Sequence, residues 1–272
     1  MQLPVAHVPA AVDPATLLRY YHQLDTRWSE HIAESSALDA GVAFANPQLP
    51  RVHMANRILD VAVPGGTSPQ DAFDRVEAHY AEQKLVCHQW VMNPSAAADR
   101  TGPMEEFLVG RGYVKISAPI MRLRHMAPAA TPSQLDDVQV IPARSSFRHA
   151  RELAELKSQD WSEPQLADAA MLHLDDPHYD ALMALHGGRA VAYAGLLTMG
   201  ELGLIEQVYV VPDHRRRGLG RLVVQRLLEI AARGLLKHVL LSVAQENAAA
   251  IALYEKLGFQ IVGQATHFHR PR

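Results

Sequence analysis

The sequence predicts an α/β fold, a mixed α+β sheet built as two packed units in tandem. Three observations predict it. Apolar residues fall into short runs of strand character alternating with stretches of helical periodicity, with two strand–helix crossovers in the second half. The 272 residues are 48% hydrophobic and 20% charged, which supplies a sizeable core and excludes a disordered chain. The stretch 126–137, MAPAATPSQLDD, holds two prolines and small residues without apolar periodicity, the composition of a linker. The expected organisation is one unit over 1–125, a linker over 126–137 and a second unit over 138–272. A long surface loop within one domain is the alternative reading of the linker.

In the first unit, 57–63 reads as a strand, 69–83 as a helix, 85–92 as a strand and 104–111 as a helix, followed by short strands at 114–118 and 120–124. The second unit opens with a strand at 138–141 and a helix at 147–157 that carries Leu153 and Leu156 among polar positions. Pro164, after Ser162, suits the first turn of a further short helix. Strands at 181–186 and 190–199 are joined by the turn His186-Gly187-Gly188-Arg189, and 204–211 is a third strand. Leu219, Leu222, Val223, Leu227, Ile230 and Ala231 recur at helical spacing over 218–233. A strand at 239–243, a helix at 248–257 and a final strand pair opening at 260–263 complete the unit.

Several function classes are excluded at this level. The net charge of −3 offers no basic field for nucleic acid or an anionic membrane. The single cysteine, Cys87, forms no internal disulfide and lacks soft companions for zinc. His267 and His269 share one strand face but have no third metal ligand nearby. No apolar run reaches the ~20 residues needed to span a bilayer, and the first residues lack a secretory pattern. A cytoplasmic protein without a metal is expected.

One constellation carries chemistry. Val208-Tyr209-Val210-Val211-Pro212 leads into Arg215-Arg216-Arg217-Gly218-Leu219-Gly220-Arg221, which opens the long helix. Free N–H groups of a first helical turn, the helix dipole and glycines without Cβ together suit an anion. The spacing is neither a dinucleotide fingerprint nor a P-loop. A basic surface turn with packing glycines is the competing reading of the loop alone. Beyond it lies a second segment, Asn247-Ala248-Ala249-Ala250-Ile251-Ala252-Leu253-Tyr254-Glu255-Lys256-Leu257-Gly258-Phe259.

The two segments in this order resemble the GNAT superfamily of N-acetyltransferases, with local wording similar to its ribosomal-protein alanine acetyltransferases. The resemblance covers about 138–263 and is most specific from Val208 onward. It implies that Val208, Tyr209 and Val210 pair with the pantetheine arm of acetyl-CoA, the co-substrate. It further implies that Arg215, Arg216, Arg217, Gly218, Leu219, Gly220 and Arg221 wrap the pyrophosphate, and that Asn247 contacts the cofactor arm. Tyr254 matches the general acid for the departing thiolate; a phenol, with pKa ~10, titrates close to a thiol. A core aromatic is the competing role for Tyr254, and a helix N-cap for Asn247.

Glu206 is the candidate base. Related alanine acetyltransferases also carry an acid five positions before the asparagine, where this chain has Ser242. That departure puts a ribosomal-protein substrate in doubt and points to Glu206, whose alternative role is an exposed or ion-paired strand residue. The expected function is direct acetyl transfer to a primary amine of a small molecule or peptide, without nucleic acid, membrane or metal; homodimerisation is open. A non-catalytic acyl-CoA sensor or scaffold is the alternative. The acid-rich segment between the first two strands of the second unit, including Glu152, Glu155, Asp160, Glu163 and Asp168, suggests a cationic acceptor, with outer-surface solvation as the rival.

The first unit reads as a degenerate copy. Residues 107–113 lie over 253–259 at a constant offset of 146, which puts Leu108 where Tyr254 stands. Carrying the strand offset forward, Thr67, Gln70 and Ala72 replace Arg215, Gly218 and Gly220. No productive acetyl-CoA binding is expected there, only packing or one wall of the acceptor site; an unrelated substrate domain is the rival view.

Overall fold

The computed structural model describes residues 12–126, 135 and 137–271. In chain order the first half holds α1 (Pro14–Glu30), β1 (Glu34–Leu38), β2 (Gly41–Ala45), β3 (Arg57–Val61), α2 (Pro69–Glu82), β4 (Gln89–Met92), α3 (Ala98–Gly110) and β5 (Val114–Leu123). The second holds β6 (Val138–Pro142), α4 (Phe147–Asp160), α5 (Leu166–Leu174), β7 (Tyr179–His186), β8 (Arg189–Met199) and β9 (Leu202–Val210). It closes with α6 (Leu219–Arg233), β10 (His238–Ser242), α7 (Ala248–Lys256) and β11 (Phe259–His269). Of the linker expected over 126–137, residues 127–134 and 136 lie outside the described residues.

The described strands form one mixed sheet in the order β1-β2-β3-β4-β11-β5-β10-β9-β8-β7-β6. The two halves therefore exchange strands. β11, the last in the chain, lies between β4 and β5, while β5, from the first half, lies between β11 and β10. β5 and β11 pair antiparallel from Val114↔His269 to Leu123↔Phe259. Two expectations change here. The short strands at 114–118 and 120–124 are one strand, because Pro119 loses only its donor and still accepts from the Val243 N–H at 3.1 Å. The final strand pair is a single strand, β11, whose antiparallel partner is the distant β5.

Other boundaries shift locally. Helix α5 starts at Leu166, after Gln165 in the left-handed region (φ 69), rather than at Pro164. β4 starts at Gln89; Leu85 and Cys87 are buried but outside the ladder. Both glycines of the β7–β8 turn, Gly187 and Gly188, have positive φ, as a tight hairpin requires.

The core has two faces. α6 and α7 cover one face of the second-half strands, through residues such as Val223, Leu227 and Tyr254 against Val191, Ile205 and Leu241. α4 and α5 cover the other face, and α1 joins them there: Tyr21, Leu24 and Trp28 pack with Leu153, Met183, Leu204 and Tyr209. α1 is encoded in the first half but buries its apolar stripe in the core of the second. α2 and α3 close a separate core around Trp90, Phe73 and Leu108.

The halves repeat unusual backbone features. Gln207 in β9 and Asp60 in β3 both take left-handed φ, 61° and 63°, each at a break in strand register. Gly112 and Gly258, after α3 and α7, have φ of 85° and 96°. A Cβ on Gly258 would lie 1.9 Å from the His125 carbonyl oxygen, so this turn admits only glycine.

Candidate active site

β9 and β10 run parallel but pair only where Leu202, Gly203 and Leu204 meet His238, Val239 and Leu240. Past that point β9 keeps its partner β8 on one side, with Tyr193↔Tyr209 and Ala192↔Val210. β10 continues against β5 up to Ser242↔Ile120. Residues 208–210 thus present an edge toward β10 that no described strand occupies. The Gln207 bulge shifts the side-chain alternation by one residue, so that Tyr209 joins Leu204 on the α1/α4/α5 face.

Glu206 precedes the bulge. Burial raises its carboxyl from the ordinary 4.5 to about 7, and the Asp25 carboxylate adds to the rise. The cations of Lys157 and Arg57 oppose it. Tyr254, buried on α7, packs edge-on to Phe259 with ring centroids 6.0 Å apart. Its phenol is held above the ordinary range by burial, with the Glu206 charge as the second cause. Sequence reasoning took the phenol and a thiol as nearly matched acids; in the fold Tyr254 is the weaker acid and stays protonated. Ser242 accepts a hydrogen bond from the Tyr21 hydroxyl at 2.9 Å, so α1 reaches this site.

The glycine-led end of α6 lies just beyond β9. Gly218 caps it with φ 87 and no side-chain cap bond. Leu219 is buried in the core, whereas Arg215, Arg216 and Arg217 are exposed. Arg215 is engaged elsewhere, by Asp160 and by the Val210 carbonyl at 3.0 Å. Arg221 has a buried Nε without a hydrogen-bond partner, a donor that suits an anionic ligand at this helix end. Asn247 caps α7, its Oδ1 accepting from the Ala250 N–H at 3.1 Å. Among the described residues no group of three or more His, Cys, Asp or Glu side chains could hold a metal. No described helix is long and apolar enough to cross a membrane.

The Acetyltransferase (GNAT) family model matches residues 148–259. The N-alpha-acetyltransferase RimI of Mycobacterium tuberculosis is 35% identical over 127 residues, 44% of this chain and 78% of that protein. The chain belongs to the GNAT family. The [Ribosomal protein bS18]-alanine N-acetyltransferase of Escherichia coli is 34% identical over 100 residues, 36% of this chain and 64% of the relative. Two solved structures share the fold along nearly the whole chain. A GCN5-related N-acetyltransferase from Kribbella flavida superposes with TM-score 0.63 at 17% identity, covering 96% of this chain and 97% of that one. A tandem GNAT protein from the clavulanic acid biosynthesis pathway gives 0.56 at 17% identity, covering 95% and 96%.

Within this tandem GNAT fold the first half lacks the corresponding features. Helix α2 is capped by Ser68, whose Oγ accepts from the Asp71 N–H at 3.1 Å, so a side chain already occupies its first turn. The helix starts place Ser68 opposite Gly218, two residues from the offset carried along the strand, because the second-half loop is longer. Leu108 is fully buried in the first-half core. The acid-rich segment is also not an open acidic patch. Glu155 and Asp168 pair with Arg151, Asp160 with Arg215, and Glu163 with His53.

Four residues near Glu206 escaped sequence reasoning: Tyr21, Asp25, Arg57 and Lys157. Arg57, 3% exposed, donates to Asp25 Oδ1 at 2.6 Å, to Ser29 Oγ and to Gln89 Oε1. Nothing local marks these residues, since their partners come from distant elements. The start of α1 did carry a signal, Asp13 as N-cap accepting from the Thr16 N–H ahead of Pro14 in the first turn, with Leu17, Tyr21, Leu24 and Trp28 at helical spacing.

Proposed function

We propose that the protein transfers an acetyl group from acetyl-CoA to a primary amine, directly and at the gap between β9 and β10. The arrangement that carries this reading is a half-buried carboxylate, Glu206, raised toward neutrality by its surroundings, within electrostatic reach of a buried phenol, Tyr254, beside the unpaired edge of β9. The amine must lose a proton to attack a thioester, and Glu206 with a pKa of about 7 accepts one at neutral pH. As the C–N bond forms and the C–S bond breaks, Tyr254 passes its hydroxyl proton to the departing sulfur, and the second proton shed by the new amide nitrogen restores the phenol. The unpaired edge of residues 208–210 would hold the pantetheine arm. The uncapped start of α6 with Arg216, Arg217 and Arg221 would hold the pyrophosphate, and Asn247 the arm beyond it.

In this reading 138–272 is the catalytic unit, and 1–125 is a degenerate copy that contributes α1 and Arg57 to the site wall. The RimI and bS18-alanine relatives favour a peptide amine as acceptor; a small-molecule amine is the other class the sequence suggests. Release of CoA from acetyl-CoA across polyamines, aminoglycosides, amino acids and N-terminal peptides tests the proposal, with Tyr254→Phe run alongside. Turnover with one acceptor class, lost in the variant, is expected. Silence across the panel from protein that binds acetyl-CoA would overturn catalysis in favour of an acyl-CoA sensor.

A further inference from the structure

A small cavity, partly open to solvent, lies between α4 and α5 and the sheet. Its apolar wall includes Leu153, Met171 and Leu174; its polar wall is Lys157, Tyr193, Gln207 and Tyr209. It therefore adjoins the bulge at Gln207, one residue from Glu206.

Two of these polar groups are buried hydrogen-bond donors. Lys157 is 5% exposed, donates to Gln207 Oε1 and sits with Nζ 4.2 Å from the Trp161 ring centroid. An ammonium has three N–H donors, and burying one is costly unless it meets an anion. Tyr209 is 4% exposed, and its hydroxyl faces Asp160 and Arg215. The Asp160 carboxylate near Tyr209 is already held by Arg215. Burial depresses the Lys157 ammonium to about 8, against the raising effect of Glu206 and Glu163, so a further anion would be welcome there. The sequence suggested an acidic acceptor wall; the cavity instead offers a cation and a phenol.

A cation in the cavity and Glu206 beside it match a molecule bearing both charges. The neighbouring carboxylates of Glu206 and Asp160 disfavour a dianion, and the apolar wall suits a hydrocarbon body. We propose that this cavity receives a carboxylate of the acceptor, with Lys157 and Tyr209 as specificity-determining residues and the amine directed toward Glu206. The acceptor class is then an apolar amino-carboxylic acid or a peptide with an acidic side chain near its N-terminus. This inference rests on the proposed acetyl transfer for the role of the amine, but not for the binding of the carboxylate.

The test is calorimetric binding to protein saturated with CoA. One series compares L-leucine and L-methionine with their carboxamides; the other compares capped-C-terminus tetrapeptides that differ only as Glu or Gln at the second position. The acid member of at least one series is expected to bind at least tenfold more tightly, and that series identifies the source of the carboxylate. Lys157→Met, which roughly conserves volume, should erase the preference while CoA affinity is retained, and Tyr209→Phe should reduce it. Equal binding of acid and amide in both series, no binding by either series, or a preference that survives both substitutions would overturn the inference. Carboxylate-selective binding without acetyl transfer would remove the proposed function and leave this inference standing. Acetyl transfer without selectivity would do the reverse.

Discussion

Replacing Glu206 by glutamine should stabilise the protein while disabling it. The folded carboxyl titrates at about 7 against an ordinary 4.5, so the folded state holds the proton more tightly than the unfolded chain. Stability tied to that proton is fully present below pH 4.5 and is lost as pH rises through about 7. At roughly 1.4 kcal/mol per pH unit the loss in the wild type amounts to about 3 kcal/mol by pH 8. The glutamine variant carries no such loss. Part of its gain is offset because Lys157, whose ammonium Glu206 favours, loses that neighbour. Urea unfolding at pH 4.5 and pH 8 should therefore show near-equal stability at the lower pH and a variant more stable by about 1–3 kcal/mol at the higher. Turnover should fall about 10²–10⁴-fold, and the wild-type rise of kcat/KM through pH 7 should vanish. A variant less stable than wild type at pH 8, or an equal difference at both pH values, would show that ionising Glu206 does not cost stability.

Three further outcomes follow from particular contacts. Tyr254→Phe should lower kcat by about 10²–10⁴-fold with acetyl-CoA affinity nearly unchanged, as separate kinetic and binding titrations would show. Arg57→Met leaves the buried Asp25 without its cation and should cost about 3–5 kcal/mol in urea unfolding, much of it recovered by adding Asp25→Leu. Gly258→Ala drives a Cβ to 1.9 Å from the His125 carbonyl oxygen at φ 96 and should cost more than about 4 kcal/mol or abolish soluble expression.

The second half was legible because its elements announce themselves locally. The Gly187-Gly188 turn, the apolar stripe of α6 and the glycine before Phe259 each depend on neighbours in sequence, and the structure has them within a few residues. The exchange of β5 and β11 between halves was not legible, because strand pairing across more than a hundred positions leaves no local mark. The same holds for the site. Glu206, Tyr254 and the α6 loop could be named from motif and spacing. Lys157, on a helix with charged neighbours, reads as an ordinary surface lysine until α4 is docked on β9. Tyr21 enters only because α1, from the first half, packs on the second, and Arg57 because it is tied to Asp25 and Ser29 of that helix. The left-handed Gln207 had no sequence signal, since glutamine carries no preference for that conformation.

Under the proposed function the second half, at the start of α6, holds the donor and the first half does not. Equilibrium titration with acetyl-CoA tests it, using wild type, Arg216→Glu with Arg217→Glu, and Arg75→Glu. The two arginines are exposed at the α6 loop, while Arg75 lines the first-half cavity formed with Asp39, Pro64 and Thr67. One binding event is expected, weakened at least about tenfold by the paired charge reversal and unaffected by Arg75→Glu. Binding weakened by Arg75→Glu and indifferent to the α6 loop would contradict it.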